Sequence, residues 1–198
     1  MSNVIECVML QGIPGSGKST LTEKLVAVHK NAPNITSKVY CVTDHFYRNG
    51  VYTFNRHKLS EYYSRLMMEF AVDTTLFLLQ RQEEGELGEG RRFIAYVDNM
   101  NISHYAIRPY FEWVKRLQMA NQKLPMNFSI VEPETDWRYD PAECARRSKH
   151  SATHEVCQQA FLELHKAKHF QLANSEVINQ YDQYTLHRNP RHGNLKTN

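Results

Sequence analysis

Gly12-Ile13-Pro14-Gly15-Ser16-Gly17-Lys18-Ser19-Thr20 satisfies G-x-x-x-x-G-K-[ST] and follows directly on the apolar run from Val4 to Leu10. Glycines at this spacing let backbone N–H groups converge on an anion without side-chain obstruction. A helix starting at the loop turns its positive end to the same point. Lys18 is placed to reach the outer phosphates of a bound polyphosphate, and Ser19 to hold Mg²⁺. The plain alternative is an ordinary glycine turn. Against it stands the order of the pieces, because strand, glycine loop and helix follow one another as a phosphate cradle requires.

Two carboxylates are the next candidates, each at the end of a strand-like run: Asp44 in Cys41-Val42-Thr43-Asp44-His45 and Asp98 in Ala95-Tyr96-Val97-Asp98-Asn99. Beside a transferring phosphoryl group, a carboxylate holds Mg²⁺ through water or accepts the proton of an attacking hydroxyl. Asp is also common as a cap or turn residue past a strand, but two such placements around one phosphate loop weaken that reading. Charge neutralisation calls for a cation besides Lys18. Arg146 and Arg147, at the end of a short capped helix, are the candidates, since the planar guanidinium suits phosphate oxygens. Arg48, Arg56 and Arg138 are weaker ones of the same kind, and solvated helix arginines are the alternative.

The elements that must position these residues follow from periodicity. Short apolar runs at 4–10, 38–43, 93–97 and 127–131 read as strands buried on both faces. Between them, helices are expected over 19–30, 58–81 and 105–122, the second with a long apolar stripe at helical spacing and the third with Pro109 in its early turns. Asp140-Pro141-Ala142-Glu143 reads as an N-cap, a first-turn proline and a capping-box acid, and Thr153 caps a further helix to about residue 168. Alternating strands and helices predict an α/β fold, a parallel β-sheet flanked by helices with its ligand at the carboxyl ends of the strands. The expected division is a single domain over 1–172, with a short helical lid over about 138–153, and a polar extension over 173–198.

The chain has 198 residues, a net charge of +3, 41% hydrophobic and 23% charged residues. That suits a soluble globular protein with a substantial core. No apolar run approaches the roughly 20 residues that span a bilayer, and no signal peptide is seen, so a cytoplasmic or nuclear location with no membrane association is expected. Cys7, Cys41, Cys144 and Cys157 have no CxxC pairing and read as free thiols, Cys7 and Cys41 inside buried strands. Cys144, His150, His154 and Cys157 lack zinc-finger spacing, so no structural zinc is expected and solvated lid residues are the simpler reading. His165 and His169 are read the same way. The acidic stretch 83–89 and the basic tail 187–192 read as solvated charge runs.

Five segments together carry a resemblance: the loop 12–20; Thr43-Asp44-His45-Phe46 with Asn49-Gly50-Val51-Tyr52-Thr53-Phe54-Asn55; Val97-Asp98-Asn99-Met100-Asn101; Val131-Glu132-Pro133-Glu134-Thr135-Asp136-Trp137-Arg138; and Arg147-Ser148-Lys149-His150. In this order the chain resembles P-loop kinase domains of the polynucleotide-kinase type, above all the NEDD4-binding-protein-2-like group. The resemblance covers about residues 4–168. It implies the P-loop-containing nucleoside triphosphate hydrolase fold and a 5′-hydroxyl kinase using ATP and Mg²⁺. On this resemblance, Lys18 and Ser19 bind ATP·Mg²⁺, Asp44 takes the proton of a nucleic-acid 5′-OH, and Arg147 or Arg146 closes on the phosphates. Asp98 holds Mg²⁺ through water or approaches the acceptor, with Asn101 and Arg48 on the acceptor side. The chain departs from the pattern at Tyr47, where phage-type kinases carry arginine with Arg48 following here, and at Met100, where the usual residue is threonine. Both departures bear on the acceptor and leave ATP handling intact.

Three readings stand on the sequence: a polynucleotide 5′-kinase, a small-molecule kinase on the same scaffold, which the modest net charge favours, and an ATP-binding interaction module without turnover.

Overall fold

A computed structural model of the chain describes residues 4–85, 90–121 and 124–173, with side chains through residue 167. The basic tail, most of the expected extension and residues 86–89 of the acidic stretch lie outside the described residues.

Four parallel strands form one sheet in the order β2-β5-β1-β6, with β1 over Ile5–Leu10, β2 over Ile35–Tyr40, β5 over Arg92–Asp98 and β6 over Met126–Val131. The strand after the phosphate loop's helix, α1 (Lys18–His29), lies not beside β1 but beyond β5. Register does the positioning: Leu10 pairs with Asp98 on one side and Val131 on the other. The glycine loop therefore leaves β1 level with Asp98 and between the two flanking strand ends, where open α/β sheets bind ligands.

Helices cover both faces. α2 (Leu59–Glu83) and α3 (His104–Ala120) pack Phe70, Tyr110, Phe111 and Val114 against Ile5, Cys7 and Met9, the alternate residues of β1 that face this side. On the other face Leu21 and Leu25 of α1 pack on Leu10, Ile94 and Tyr96. A half-buried hydrogen bond from Trp113 Nε1 to Thr74 Oγ1 (3.0 Å) ties α3 to α2 and satisfies both polar groups. α4 (Pro141–Arg147) and α5 (His154–Ala173) form a smaller cluster with Ile13 of the glycine loop, through Cys144, Cys157, Ala160 and Leu164.

Three expectations are corrected. β2 spans 35–40 rather than 38–43, because Val42–Phe46 winds into a 3-10 turn whose first amide, Val42 N–H, donates to Asn99 Oδ1 (2.8 Å). As an edge strand β2 exposes Thr36, Lys38 and Val39 instead of being buried on both faces, and Cys41 is only half-buried. Asp140 does cap α4, accepting from Ala142 N and Glu143 N (3.0 and 3.1 Å), but no capping box closes: the Asp140 amide donates to the Trp137 carbonyl (2.9 Å) and Glu143 turns to Arg146 and Arg147.

One element was not anticipated. Tyr47–Arg48 (β3) and Val51–Tyr52 (β4) pair as an antiparallel hairpin. Asn49 and Gly50 form its tip with φ of 50° and 80°. Asn-Gly is the dipeptide that favours such a two-residue turn, so the signal was present in the chain. Among the described residues, no helix is long and apolar enough to cross a membrane.

Candidate active site

The loop from Gly12 to Thr20 is held from behind through its carbonyls. Lys18 Nζ donates to the Ile13 carbonyl (2.9 Å), Cys157 Sγ to that of Pro14 (3.7 Å), Trp137 Nε1 to that of Gly15 (3.2 Å) and Thr135 Oγ1 to that of Ser16 (2.8 Å). The Ser16 amide also donates to the Ile13 carbonyl (3.2 Å), so with four consecutive C=O groups engaged the N–H groups of Gly15 and Gly17 are left for the hollow, as an anion cradle needs. Thr135, Trp137 and Cys157 were not anticipated in this role. Their contacts cross more than a hundred positions, and no local pattern announces them.

Two glycines have no substitute. Gly17 takes φ +102° as it caps α1, and Gly15 takes φ +76° with the Cys144 carbonyl 1.9 Å from where a Cβ would stand. Both the left-handed backbone and the contact with α4 oppose any side chain at 15. Gly15→Ala is expected to cost about 3 kcal/mol, combining backbone strain with overpacking. A thermal melt alongside nucleotide binding checks it, and a variant as stable as wild type would remove the loop–α4 contact from the account.

Buried polar groups converge in front of the loop. Lys18 is 9% exposed and Asp98 7%. Burial pushes the Lys18 ammonium below its usual range, opposed mainly by the Asp98 charge. The Asp98 carboxyl is pushed up by burial, opposed by hydrogen bonding from Ser19, the Lys18 charge and Thr22. The site thus keeps two opposite charges under desolvation, each acting on the other, an arrangement typical of functional clefts. The hydroxyl of Ser16 is buried with no hydrogen-bond partner, and so is Asn99 Nδ2. Unsatisfied donors beside a row of amides fit a triphosphate, and the Ser19 hydroxyl with the Asp98 carboxylate is an all-oxygen donor set suited to Mg²⁺.

Asp98 also sets a pH-dependent cost. Its carboxyl holds a proton to higher pH folded than unfolded, where an aspartate ionises near about 3.9. Between those two values the native state binds more protons, so stability falls as pH rises through the raised native pKa. Asp98→Asn is therefore expected to melt above wild type at pH 7 and to lose that advantage below about pH 4, where both carboxyl states are protonated. Melts across that range without nucleotide test it, and equal melting temperatures at pH 7 would contradict it.

Asp44 stands apart from this pair. It is exposed on the 3-10 turn, its amide bonded to the Cys41 carbonyl (3.2 Å), and its charge is felt at both Asp98 and His150. Beside it lies a hollow of 190 Å³ lined by His45, Arg48 and Lys58 with Thr53, Asn55 and the rings of Phe46 and Tyr62. Arg48 Nη2 reaches Tyr62 OH (3.4 Å), and His45 stacks on the Tyr62 ring (5.3 Å).

Other expected site residues are placed as follows. Asn101 is buried at φ 47°, donating through Nδ2 to the Leu10 and Val97 carbonyls (2.7 and 2.9 Å), so its amide ties β1 to β5. Arg146 and Arg147 share the Glu143 carboxylate and draw it down to about 2, Arg146 through two hydrogen bonds. Arg147 also lies 3.9 Å above the Trp137 ring that braces Gly15. Arg138 donates to the Thr135 carbonyl (3.3 Å) and covers Tyr139.

Cys144 and Cys157 are fully buried against the glycine loop, contrary to the solvated reading. His150, between α4 and α5, stacks on Tyr52 of the hairpin (4.4 Å), and burial with the Lys149 charge holds its imidazole below the usual range. His165 packs against Phe161 (4.3 Å), and the His169 side chain lies outside the described residues.

A glycine loop between β1 and α1, a parallel sheet flanked by helices, and a strand-end aspartate level with the loop define a P-loop α/β protein. No protein-family model matches the chain. NEDD4-binding protein 2 of Homo sapiens is similar to it, 28% identical over 148 residues that are 75% of this chain and 7% of that protein. The chain thus spans only a small part of the curated relative it matches.

Solved structures with a similar course include a chain of the Pnkp1/Rnl/Hen1 RNA repair complex, at 13% identity and TM-score 0.41, covering 85% of this chain and 47% of that one. The APS kinase CysC of Mycobacterium tuberculosis aligns at 15% identity and TM-score 0.37, over 89% and 97% of the two chains. A gluconokinase from Sinorhizobium meliloti aligns at 10% identity and TM-score 0.38, over 93% and 100%.

Proposed function

We propose that the chain is an ATP-dependent kinase that transfers the γ-phosphate to the 5′-hydroxyl of an RNA or DNA end. The loop amides left free, among them those of Gly15 and Gly17, hold the triphosphate, Lys18 neutralises its outer charge, and Ser19 with Asp98 would hold Mg²⁺, which would supply further charge neutralisation when bound. Asp44 accepts the proton of the 5′-hydroxyl as that oxygen bonds to the γ-phosphorus and ADP departs. Arg147 or Arg146 leaves Glu143 to meet the phosphates, exchanging one carboxylate for more concentrated charge.

The observation that carries this reading is the open, basic hollow beside an exposed Asp44. An acceptor that already bears phosphates, as a nucleic-acid end does, meets three cationic or titratable side chains there. A second reading draws on the hollow's size: 190 Å³, below the roughly 300–1,000 Å³ of ordinary ligand clefts, suits a small phosphorylated acceptor.

Labelled ATP and Mg²⁺ with a panel of 5′-OH DNA and RNA oligonucleotides, nucleosides, nucleotides and sugars separates the possibilities. Product on oligonucleotides supports the kinase of nucleic-acid ends. Product only on small acceptors favours the second reading, and none on any acceptor with intact ATP binding points to an interaction module.

A further inference from the structure

We propose that the β3–β4 hairpin and the turn after it form a track for single-stranded nucleic acid, holding the nucleotides that follow the 5′ end presented to Asp44. This inference rests on the reading of the acceptor as a nucleic-acid end and extends the contact beyond the terminal nucleotide. A hairpin this short has little reason to display large apolar side chains to water. Yet Tyr47, Val51 and Phe54 are 45%, 64% and 55% exposed, three within eight residues.

The two exposed rings are held in place from behind. Tyr47 lies against Tyr52 (5.4 Å) and Phe54 against Phe46 (5.1 Å). Tyr52 is pinned in turn by His150, and the Thr53 amide donates to the Phe46 carbonyl (2.8 Å). Aromatic faces that are exposed yet immobilised offer bases a stacking surface at small ordering cost, and stacking tolerates any sequence because every base has a π-face.

Charge supplies the second part of the argument. From His45 to Ser60 the chain has no acidic residue, while Arg48 lies between Tyr47 and Tyr52, and Arg56 and Lys58 follow Phe54. Lys58 is paired with Glu61 (2.7 Å), so Arg48 and Arg56 are the principal phosphate contacts of this stretch. A protein partner with an apolar patch would satisfy the rings but not the unbalanced positive charge. A single strand satisfies both.

The test uses the full chain and a 5′-OH thymidylate dodecamer carrying a 3′ fluorophore, with anisotropy followed over a salt series without nucleotide. Tyr47→Ala combined with Phe54→Ala is expected to weaken binding at least about tenfold. Arg48→Ala combined with Arg56→Ala is expected to flatten the slope of log affinity against log salt by about 1.4, near 0.7 for each lost contact to a single strand. Tyr47→Trp with Phe54→Tyr keeps the rings and is expected to bind as wild type, which separates stacking from misfolding. Met119→Ala removes another exposed apolar side chain, at the far end of α3, and serves as the control.

Undiminished binding by the double alanine variant of the aromatics overturns the track while leaving the kinase reading in place if wild type phosphorylates the dodecamer. Wild type that neither binds nor phosphorylates any oligonucleotide overturns the acceptor reading, and the track falls with it.

Discussion

Lys18→Ala is expected to lower γ-phosphate transfer by about a thousandfold or more, since removing one preorganised charge donor from such a site typically costs 10²–10³ and this one also bears on the ground-state phosphates. Its ammonium is buried beside Asp98 and already positioned by a hydrogen bond to the Ile13 carbonyl. Alanine removes the charge and leaves Asp98 buried without its cation. The outer phosphates also lose their cation in the ground state, so nucleotide affinity is expected to fall together with rate. Initial rates with labelled ATP and competition against a fluorescent nucleotide measure the two losses. Transfer within tenfold of wild type would take Lys18 out of the phosphate site and, with it, the loop's assignment.

Asp44→Asn divides the two functions instead. Asparagine keeps the size of the side chain and the 3-10 turn, whose geometry depends on backbone bonds and on Asn99 rather than on the carboxylate. It cannot accept a proton, so transfer is expected to fall by about 10²–10⁴, the usual worth of a positioned general base. Nucleotide binding is expected to stay within a factor of about three, because a carboxylate donates no hydrogen bond to phosphate and its loss removes no phosphate donor. Single-turnover rates together with nucleotide titration give the split. Normal rates would remove Asp44 from the base role, and a parallel loss of nucleotide affinity would place it among the metal ligands.

The two substitutions also bear differently on Asp98. Lys18→Ala removes the charge that holds down its raised pKa, whereas Asp44→Asn removes a neighbouring negative charge that raises it. The buried pair thus responds to changes on either side of the cleft.

Much of this arrangement was legible in the chain. Glycine spacing, the apolar run before it and helical periodicity after it are local patterns, and local patterns report backbone conformation directly. The strand at 93–97 was found for the same reason: a strand buried on both faces reads as a continuous apolar run. The segment 35–40 misled because an edge strand exposes alternate residues, while the apolar residues that follow it, Val42 and Phe46, belong to a turn packed into the core. The hairpin was missed although Asn49-Gly50 marked it, because strands of two residues have no periodicity to read.

The sequence by itself determined a glycine loop, the helix behind it and an aspartate, Asp98, at the end of a strand, because each depends on residues within a few positions of one another, whereas Asp44, read as a strand end, lies on a 3-10 turn. Only the tertiary structure decided what those groups face. The Leu10–Asp98 register brought the buried carboxylate to the loop, Trp137, Thr135 and Cys157 closed behind its carbonyls, and Arg48 of the hairpin met Phe46, Lys58 and Tyr62 around one hollow. These are contacts between distant segments, set by how strands order themselves in a sheet and how helices cover it, and composition or spacing along the chain carries no record of that choice.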